Sequence, residues 1–515
     1  MKVRSQAQCI RGWRWVLLWL SLAAAPAIAQ STGPITTQSL FFTQASLSAH
    51  QGNYAEVDTG LVYTDNVFLT PNATGDTLAL LGLVADAARQ GPRLDLRLAS
   101  NISLVKYFSG DFQTRPFGYL DAEALFKIFP SFFNWRVRNT FNQWQLSTTA
   151  APTPDNLEAI NYFQTGPNFT WQPTLRTSIV LDGTYSWVKS SSQSPLYVNI
   201  DNHRYGGDLS ISRAFTSTTS AFVKGSYDDV KFVDTTLNNN FTQEQVEGGF
   251  SFSDLRTVAN ASAGYARVHE TVNVTVDSIV GPREEQQKQT HSGTTWQFDL
   301  SRLISPTQRV TLRALQTIAD AAGLFQYNLD QPVPSTQSFQ LTNGQPFTER
   351  DYGASWRLQA NRTALQVDLS SNQQSYTETP KLDHKGKLVS ALLSRQLSAV
   401  LTGDIGASYQ RDNYSAGGNT QNTVNAIATL RWQLGQRLGL RFVYAHSTVS
   451  PNGYHNNQIG VIASYSLITR SSQVESLQPV APISSQQPFQ SLAPPPVAPA
   501  EPLPQPPPQA TPPPR

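Results

Sequence analysis

The sequence predicts an all-β chain, a transmembrane antiparallel β-barrel of about 20 strands (roughly 18 to 22) with a disordered Pro-rich C-terminal tail. Three observations carry that expectation. Period-two alternation recurs from residue 54 to about residue 469, tight turns alternate with long polar connections, and a secretory leader precedes a chain that holds no further cysteine.

Residues 1–29 read as a signal peptide. Lys2, Arg4, Arg11 and Arg14 precede an apolar run from Val16 to Ala25, and the small-x-small site Ala27-Ile28-Ala29 closes it. Cys9 lies before the apolar run, out of place for a lipid-bearing cysteine, and it is the sole cysteine of the chain. A secreted chain without cysteine has no disulfides, so its order must come from backbone pairing, packing or a membrane. Subtracting the four leader cations from 38 basic residues leaves 34 against 36 acidic ones, which excludes the concentrated basic footprint of a nucleic-acid partner. Apolar content of 39% is low for a large enzyme core, while aromatics reach 10%. A barrel with an apolar skin and a wet interior fits both values. Beyond the leader no apolar run is long enough for a membrane-spanning helix.

Residues 30–53 form a lead on the periplasmic side, and the barrel is expected over 54–469. In "RLDLRLASNISL", residues 93–104, Leu94, Leu96, Leu98, Ile102 and Leu104 share one face and Arg93, Asp95, Arg97, Asn101 and Ser103 the other. Leu181, Tyr185 and Trp187 alternate with Asp182, Thr184 and Ser186; Leu401, Ile405 and Tyr409 with Thr402, Asp404 and Ser408. Alternation alone also fits a soluble sandwich. A barrel satisfies every backbone group in hydrocarbon and lets the charged face line water, and the leader and the paired loop lengths favour it.

Tight turns read at Gln90-Gly91-Pro92, Phe129-Pro130-Ser131, Gln172-Pro173, Ser253-Asp254, Ser305-Pro306, Asn361-Arg362 and Gly435-Gln436. Longer polar segments lie near 64–75, 147–157, 188–203, 230–241, 268–288, 320–345, 374–383, 410–420 and 446–454. Short turns on one side, long loops on the other and both ends in the periplasm are outer-membrane habits. Trp135, Phe141, Trp144, Tyr162, Phe163, Phe169 and Trp171 sit near predicted strand ends, where aromatic girdles are expected. The segment from Asp320 to Phe347 has apolar and proline character that suits either a constriction in the pore or an external cap. Ile459, Val461, Ala463, Tyr465 and Leu467 form a terminal strand of the kind the barrel-assembly machinery reads, although the chain runs on past it. Residues 470–515 end in dense proline, incompatible with sheet pairing, and can reach on the order of 100 Å as a spacer or a tether to a periplasmic partner.

The seven histidines, His50, His203, His269, His291, His384, His446 and His455, show no metal spacing, and neither a nucleophile elbow nor a phosphate loop is present. No catalytic, cofactor or metal residue is therefore assigned, and a non-enzyme is expected. Face assignment instead nominates lumen residues able to set selectivity: Arg93, Asp95, Arg97, Arg136, Arg138, Asp182, Asp208, Glu247, Asp299, Arg313, Arg357, Asp368, Asp404, Arg431 and Arg441. Arg431 and Arg441 flank one predicted turn, so their fields are expected to reinforce each other.

The segment from Gly60 to Phe108, with Tyr63-Thr64-Asp65-Asn66-Val67 opening the first loop, a Gly-Pro turn and the Arg93 to Leu104 strand, resembles the beta-barrel porin type 2 family. That resemblance implies an outer-membrane protein of a Gram-negative bacterium, found with exopolysaccharide and protein-sorting systems. It supplies no catalytic residues. The expected partners are outer-membrane lipid and a hydrophilic solute or polysaccharide. A plugged structural or adhesive barrel and an outer-membrane lipid-modifying hydrolase are the competing readings.

Overall fold

In the computed structural model each alternating segment pairs with its neighbours in sequence, and the first strand pairs with the last. The structure describes residues 54–145, 151, 153–191, 200–234, 239–278, 281–320, 345–377, 380–415, 418–451 and 453–468, with the side chains of 144–145 and 272–286 outside that set. The expected leader, lead and proline tail lie outside the described residues.

Twenty strands form one closed antiparallel sheet. They are β1 Tyr54–Thr64, β2 Asp76–Arg89, β3 Leu94–Tyr107, β4 Arg115–Phe129, β5 Phe133–Gln145, β6 Leu157–Thr174, β7 Thr177–Ser190, β8 Asn202–Ala214, β9 Thr219–Phe232 and β10 Phe241–Ser253. The second half comprises β11 Thr257–Ser278, β12 Gly281–Ser305, β13 Gln308–Ala319, β14 Phe347–Gln359, β15 Thr363–Tyr376, β16 His384–Gln396, β17 Leu401–Tyr414, β18 Thr420–Gln433, β19 Leu438–Ser450 and β20 His455–Ser466. Short turns gather at one rim with the start of β1 and the end of β20, and the longer connections gather at the other.

The ring closes where β1 runs against β20, from Glu56↔Ser466 to Thr64↔Gln458. Side chains reinforce the seam. Asp58 accepts from Ser464 Oγ at 2.7 Å and from Arg441 Nη2 at 2.9 Å, and Thr64 Oγ1 donates to Asn456 Oδ1 at 2.7 Å. Among the described residues no edge strand is left to recruit another chain.

Two expected boundaries move. The 268–288 segment, read as a loop for its polarity, continues β11 and β12 in register to Ser278↔Gly281, because its threonines and valines alternate and its backbone pairs within the hairpin. The turn expected at Gln172-Pro173 falls at Leu175-Arg176, since β6 keeps pairing to Thr174↔Thr177 after a register irregularity. At Ser253-Asp254 the turn stands as expected. Asp254 accepts from the Arg256 amide at 2.7 Å and from that of Thr257, and these backbone donors hold its carboxyl below the usual range.

The opposed faces meet opposed surroundings. Leu81, Leu181, Val223, Phe250, Ile405 and Val461 are exposed on the outer surface, while Asn101, Asp121, Arg138, Glu349, Asp404 and Ser408 are buried on the inner one. That inverts the order of a water-soluble fold and is what lipid outside and water inside demand. Among the described residues, outward charges on the strands occur only at the rims. Arg89, Arg213, Arg302 and Arg395 mark the short-turn rim; Lys106, Lys189, Lys231, Arg267, Arg350, Lys385, Lys387 and Arg411 mark the other. On β16, Lys387 and Arg395 bracket Val389, Ala391 and Leu393, a span of roughly 20 Å along the barrel axis.

Aromatics follow the same division. Outward tyrosines ring the long-loop side, where Tyr265, Tyr409 and Tyr444 donate to Ser292 at 2.6 Å, Asn422 at 2.9 Å and Asn457 at 3.1 Å. Trp135, Trp171, Phe250, Phe252 and Trp432 ring the other side. Of the expected girdle, Tyr162 is a correction: it occupies an inward position of β6 and is buried beside Ile160. The side chain of Trp144 lies outside the described residues.

Gly118 is a positional requirement. Its φ is +134°, and an added Cβ would stand 1.8 Å from the Asn101 carbonyl oxygen on β3. Gly118→Ala is expected to cost about 1–3 kcal/mol or more in urea unfolding of the refolded barrel; a loss within experimental error would show that β3 and β4 do not approach as described.

Candidate functional site: the lumen wall

Every second residue of each strand points inward, so a hairpin places acids and bases on neighbouring strands two residues off direct register. On β3 to β5 this gives a staggered ladder: Asp95–Lys127 at 2.8 Å, Glu123–Arg136 at 3.3 Å and Asp121–Arg138 at 2.9 Å. Arg138 reaches Asp121 through both Nε and Nη2, and Thr140 Oγ1 lies 3.3 Å from the same carboxylate. Further round, Asp208 meets Lys224 at 3.1 Å, Arg313 meets Asp351 at 3.0 Å, and Asp404 meets Arg431 at 3.0 Å.

Other nominated residues are held by polar neutral groups. Asp182 accepts from Asn168 Nδ2 at 2.6 Å, Glu247 from Ser262 Oγ at 3.3 Å, Asp299 from Gln297 Nε2 at 2.5 Å, and Asp368 from Gln366 Nε2 at 2.9 Å. Arg357 donates to Gln366 Oε1 at 2.7 Å, which joins it to Asp368 through one amide. Arg97 points inward from β3. Arg93 does not stand on the wall. β3 begins one residue later, and Arg93 occupies the exposed turn, its carbonyl accepting from the Lys127 amide.

Arg431 and Arg441 are direct register partners on β18 and β19. Their fields do not add as expected, because each turns to its own acid, Arg431 to Asp404 and Arg441 to Asp58.

Sequence reasoning missed the partners: Asp58, Asp121, Glu123, Lys127, Lys224 and Asp351. Alternation marks them inward, but only the hairpin register shows which opposite charge each meets. It also missed His384, buried on β16, whose Nε2 lies 3.0 Å from Asp412 Oδ1 and whose ring stacks on Tyr414 at 4.8 Å. Among the described residues no group of three or more His, Cys, Asp or Glu is placed to hold a metal ion.

The wall changes character along its axis. Toward the short turns, inward Asn134, Asn168, Gln297 and Gln366 are part-exposed. Toward the long loops, inward apolar residues pack together: Val62, Leu78, Leu80, Phe117, Val443 and Ile462 form one cluster, and Val230, Phe232, Phe241, Val268 and Ile318 another. Loop 65–75 joins the first cluster through Val67. Asn66 Nδ2 donates to the carbonyls of Thr70 at 2.6 Å and His455 at 2.9 Å, and Asn457 donates to Asp65 at 2.7 Å, so this loop is tied to the start of β20. A recess of about 60 Å³ lies beneath it between Leu80, Phe117 and Ile462, with Asn101, Gln458 and the Asp58–Arg441 pair as its polar lining.

The end of β13 turns inward as well. Gln243 Nε2 donates to the Ile318 carbonyl at 3.0 Å, and Asp320 pairs with Arg204 of β8. Residues 321–344, the expected constriction or cap, lie outside the described residues.

No protein-family model matches the chain, and no curated protein matches it. Among solved structures, the barrel is similar to the copper transporter OprC at 9% identity, TM-score 0.43, covering 81% of each chain. It is also similar to the ferric citrate transporter FecA, at 8% identity and TM-score 0.44 over 81% of this chain and 79% of that one. The ferric yersiniabactin uptake receptor FyuA from Yersinia pestis gives 8% identity and TM-score 0.38 over 81% of each chain. Likeness at this level says nothing of cargo.

Proposed function

We propose that the chain is an outer-membrane channel of porin type that passes hydrophilic solutes, with exopolysaccharide of an export system as its specific cargo. The observation that carries this reading is the inversion of faces: charged and amide side chains line the interior of a closed barrel whose exterior is uncharged between its rims. Such a wall lowers the barrier to a polar solute by replacing hydrocarbon with fixed dipoles and water. The part-exposed amides toward the short turns both donate and accept hydrogen bonds, as a hydroxyl-rich polymer requires. The family resemblance of residues 60–108 supports the exopolysaccharide assignment.

A second reading, a closed barrel acting as a structural or adhesive element, is favoured by one observation: the packed apolar inner wall under loop 65–75. Conductance across planar bilayers separates them. The channel reading predicts discrete single-channel steps from the purified barrel; a folded barrel that never conducts favours the closed element. Loss of exopolysaccharide export on gene deletion, restored by the intact chain, tests the cargo.

A further inference from the structure

The outward face of β14 to β17 carries a concentration of positive charge that the lumen reading does not use. Lys385 and Lys387 project from β16, Arg411 from β17 and Arg350 from β14, all exposed. Lys387 and Arg411 are direct register partners. Lys385 stands opposite Gln373, which is itself opposite Arg350. Like charges facing each other across a strand pair are destabilising.

Among the described residues no acid forms an ion pair that would cancel the cost. The outward positions of these four strands hold no carboxylate. Arg350 Nε donates to the neutral Gln316 at 2.9 Å, and the side chains of Lys385, Lys387 and Arg411 have no ion-pair partner among the described residues. The contrast with the inner wall is informative, since there Arg136, Arg138, Arg313, Arg431 and Arg441 each meet an acid. It also differs from β9 at the same rim, where Lys231 pairs with Asp229 at 3.0 Å.

Position supplies the second constraint. Arg411 follows Tyr409 by two residues on the same face, and Tyr409 belongs to the tyrosine ring that ends the uncharged belt. Lys387 precedes Val389 in the same way. The patch therefore sits at the depth of lipid headgroups in the leaflet around the long loops, where a cation meets phosphate.

We propose that Lys385, Lys387 and Arg411, flanked by Arg350, form a binding site for the phosphate groups of an anionic lipid in that leaflet, a glycolipid bearing more than one phosphate. The inference rests on the membrane-barrel reading. Lysine supplies adaptable point charges and arginine a planar fork, and together they suit a headgroup with spaced phosphates.

The test uses the full chain in phosphatidylcholine nanodiscs, with retention of bis-phosphorylated lipid A read by native mass spectrometry. Wild type should retain the lipid. The triple variant K385Q/K387Q/R411Q should lose roughly tenfold or more in apparent affinity, while R213Q/R302Q/R395Q at the opposite rim should not. If the triple variant fails to fold, Lys387→Gln alone decides. Relief of the Lys–Arg repulsion should leave it as stable as wild type or more so in phosphatidylcholine, and less stable than wild type once lipid A is present. Equal retention by wild type and triple variant, or displacement of the lipid by inorganic phosphate at matched concentration, overturns the proposal. Insertion into nanodiscs without lipid preference would do so while leaving the barrel reading intact; a chain that never enters them would defeat that reading instead.

Discussion

Arg138→Ala is expected to destabilise the folded barrel by about 3–5 kcal/mol in urea unfolding from vesicles. The side chains of Arg138 and Asp121 are 9% and 12% exposed, and the substitution leaves the carboxylate with Thr140 as a remote donor. The loss comes from stranding a desolvated charge, more than from deleting an attraction. For that reason the double variant Arg138→Met with Asp121→Leu should recover most of the stability. A single-variant loss below about 1 kcal/mol would place this pair in open water, as exposed pairs behave.

Ile405→Arg should cost about 2–4 kcal/mol, against about 0–1 kcal/mol for Leu401→Arg on the same strand. Ile405 is 64% exposed in the middle of the outward face of β17, and Leu401 opens that strand at the short-turn rim. In water both would be surface substitutions worth a few tenths of a kcal/mol. The gradient with depth is the signature of hydrocarbon, because a cation near the rim can reach headgroups and one at the midplane cannot. Equal, small effects at both positions would mean that this face meets water.

Much of the architecture was legible in the sequence because the two faces of each strand meet opposite solvents, so a period of two writes both onto the chain. β17 shows this plainly: Ile405, Ala407 and Tyr409 point outward, and Asp404, Ser408 and Gln410 inward. Legibility failed where both faces carry one kind of residue. β2 is apolar on both sides, so the inner packing of Leu78 and Leu80 had no signal, and the β11–β12 extension is polar enough to pass for a loop. Tyr162 was misplaced for a related reason, since an aromatic near a strand end serves either a girdle or an inner cluster, and parity decides between them.

Among the nominated lumen residues, parity alone set the inward positions, and Arg93 failed because the turn before β3 runs one residue longer than alternation implies. The pairing of charges was not legible. It depends on register, which the turn geometry fixes, and a two-residue stagger separates Arg431 from Asp404 in a way no spacing rule exposes.

The most direct measurement is collision accessibility of single nitroxide labels in vesicles, facilitated by a chain whose sole cysteine is Cys9. Labels at Leu181, Ile405 and Val461 should collide preferentially with molecular oxygen, which partitions into hydrocarbon. Labels at the inward positions Gln297 and Gln366 should respond preferentially to a water-soluble nickel chelate. Strong nickel response at Leu181, Ile405 and Val461 would contradict the account, for it would put water where the closed barrel places acyl chains.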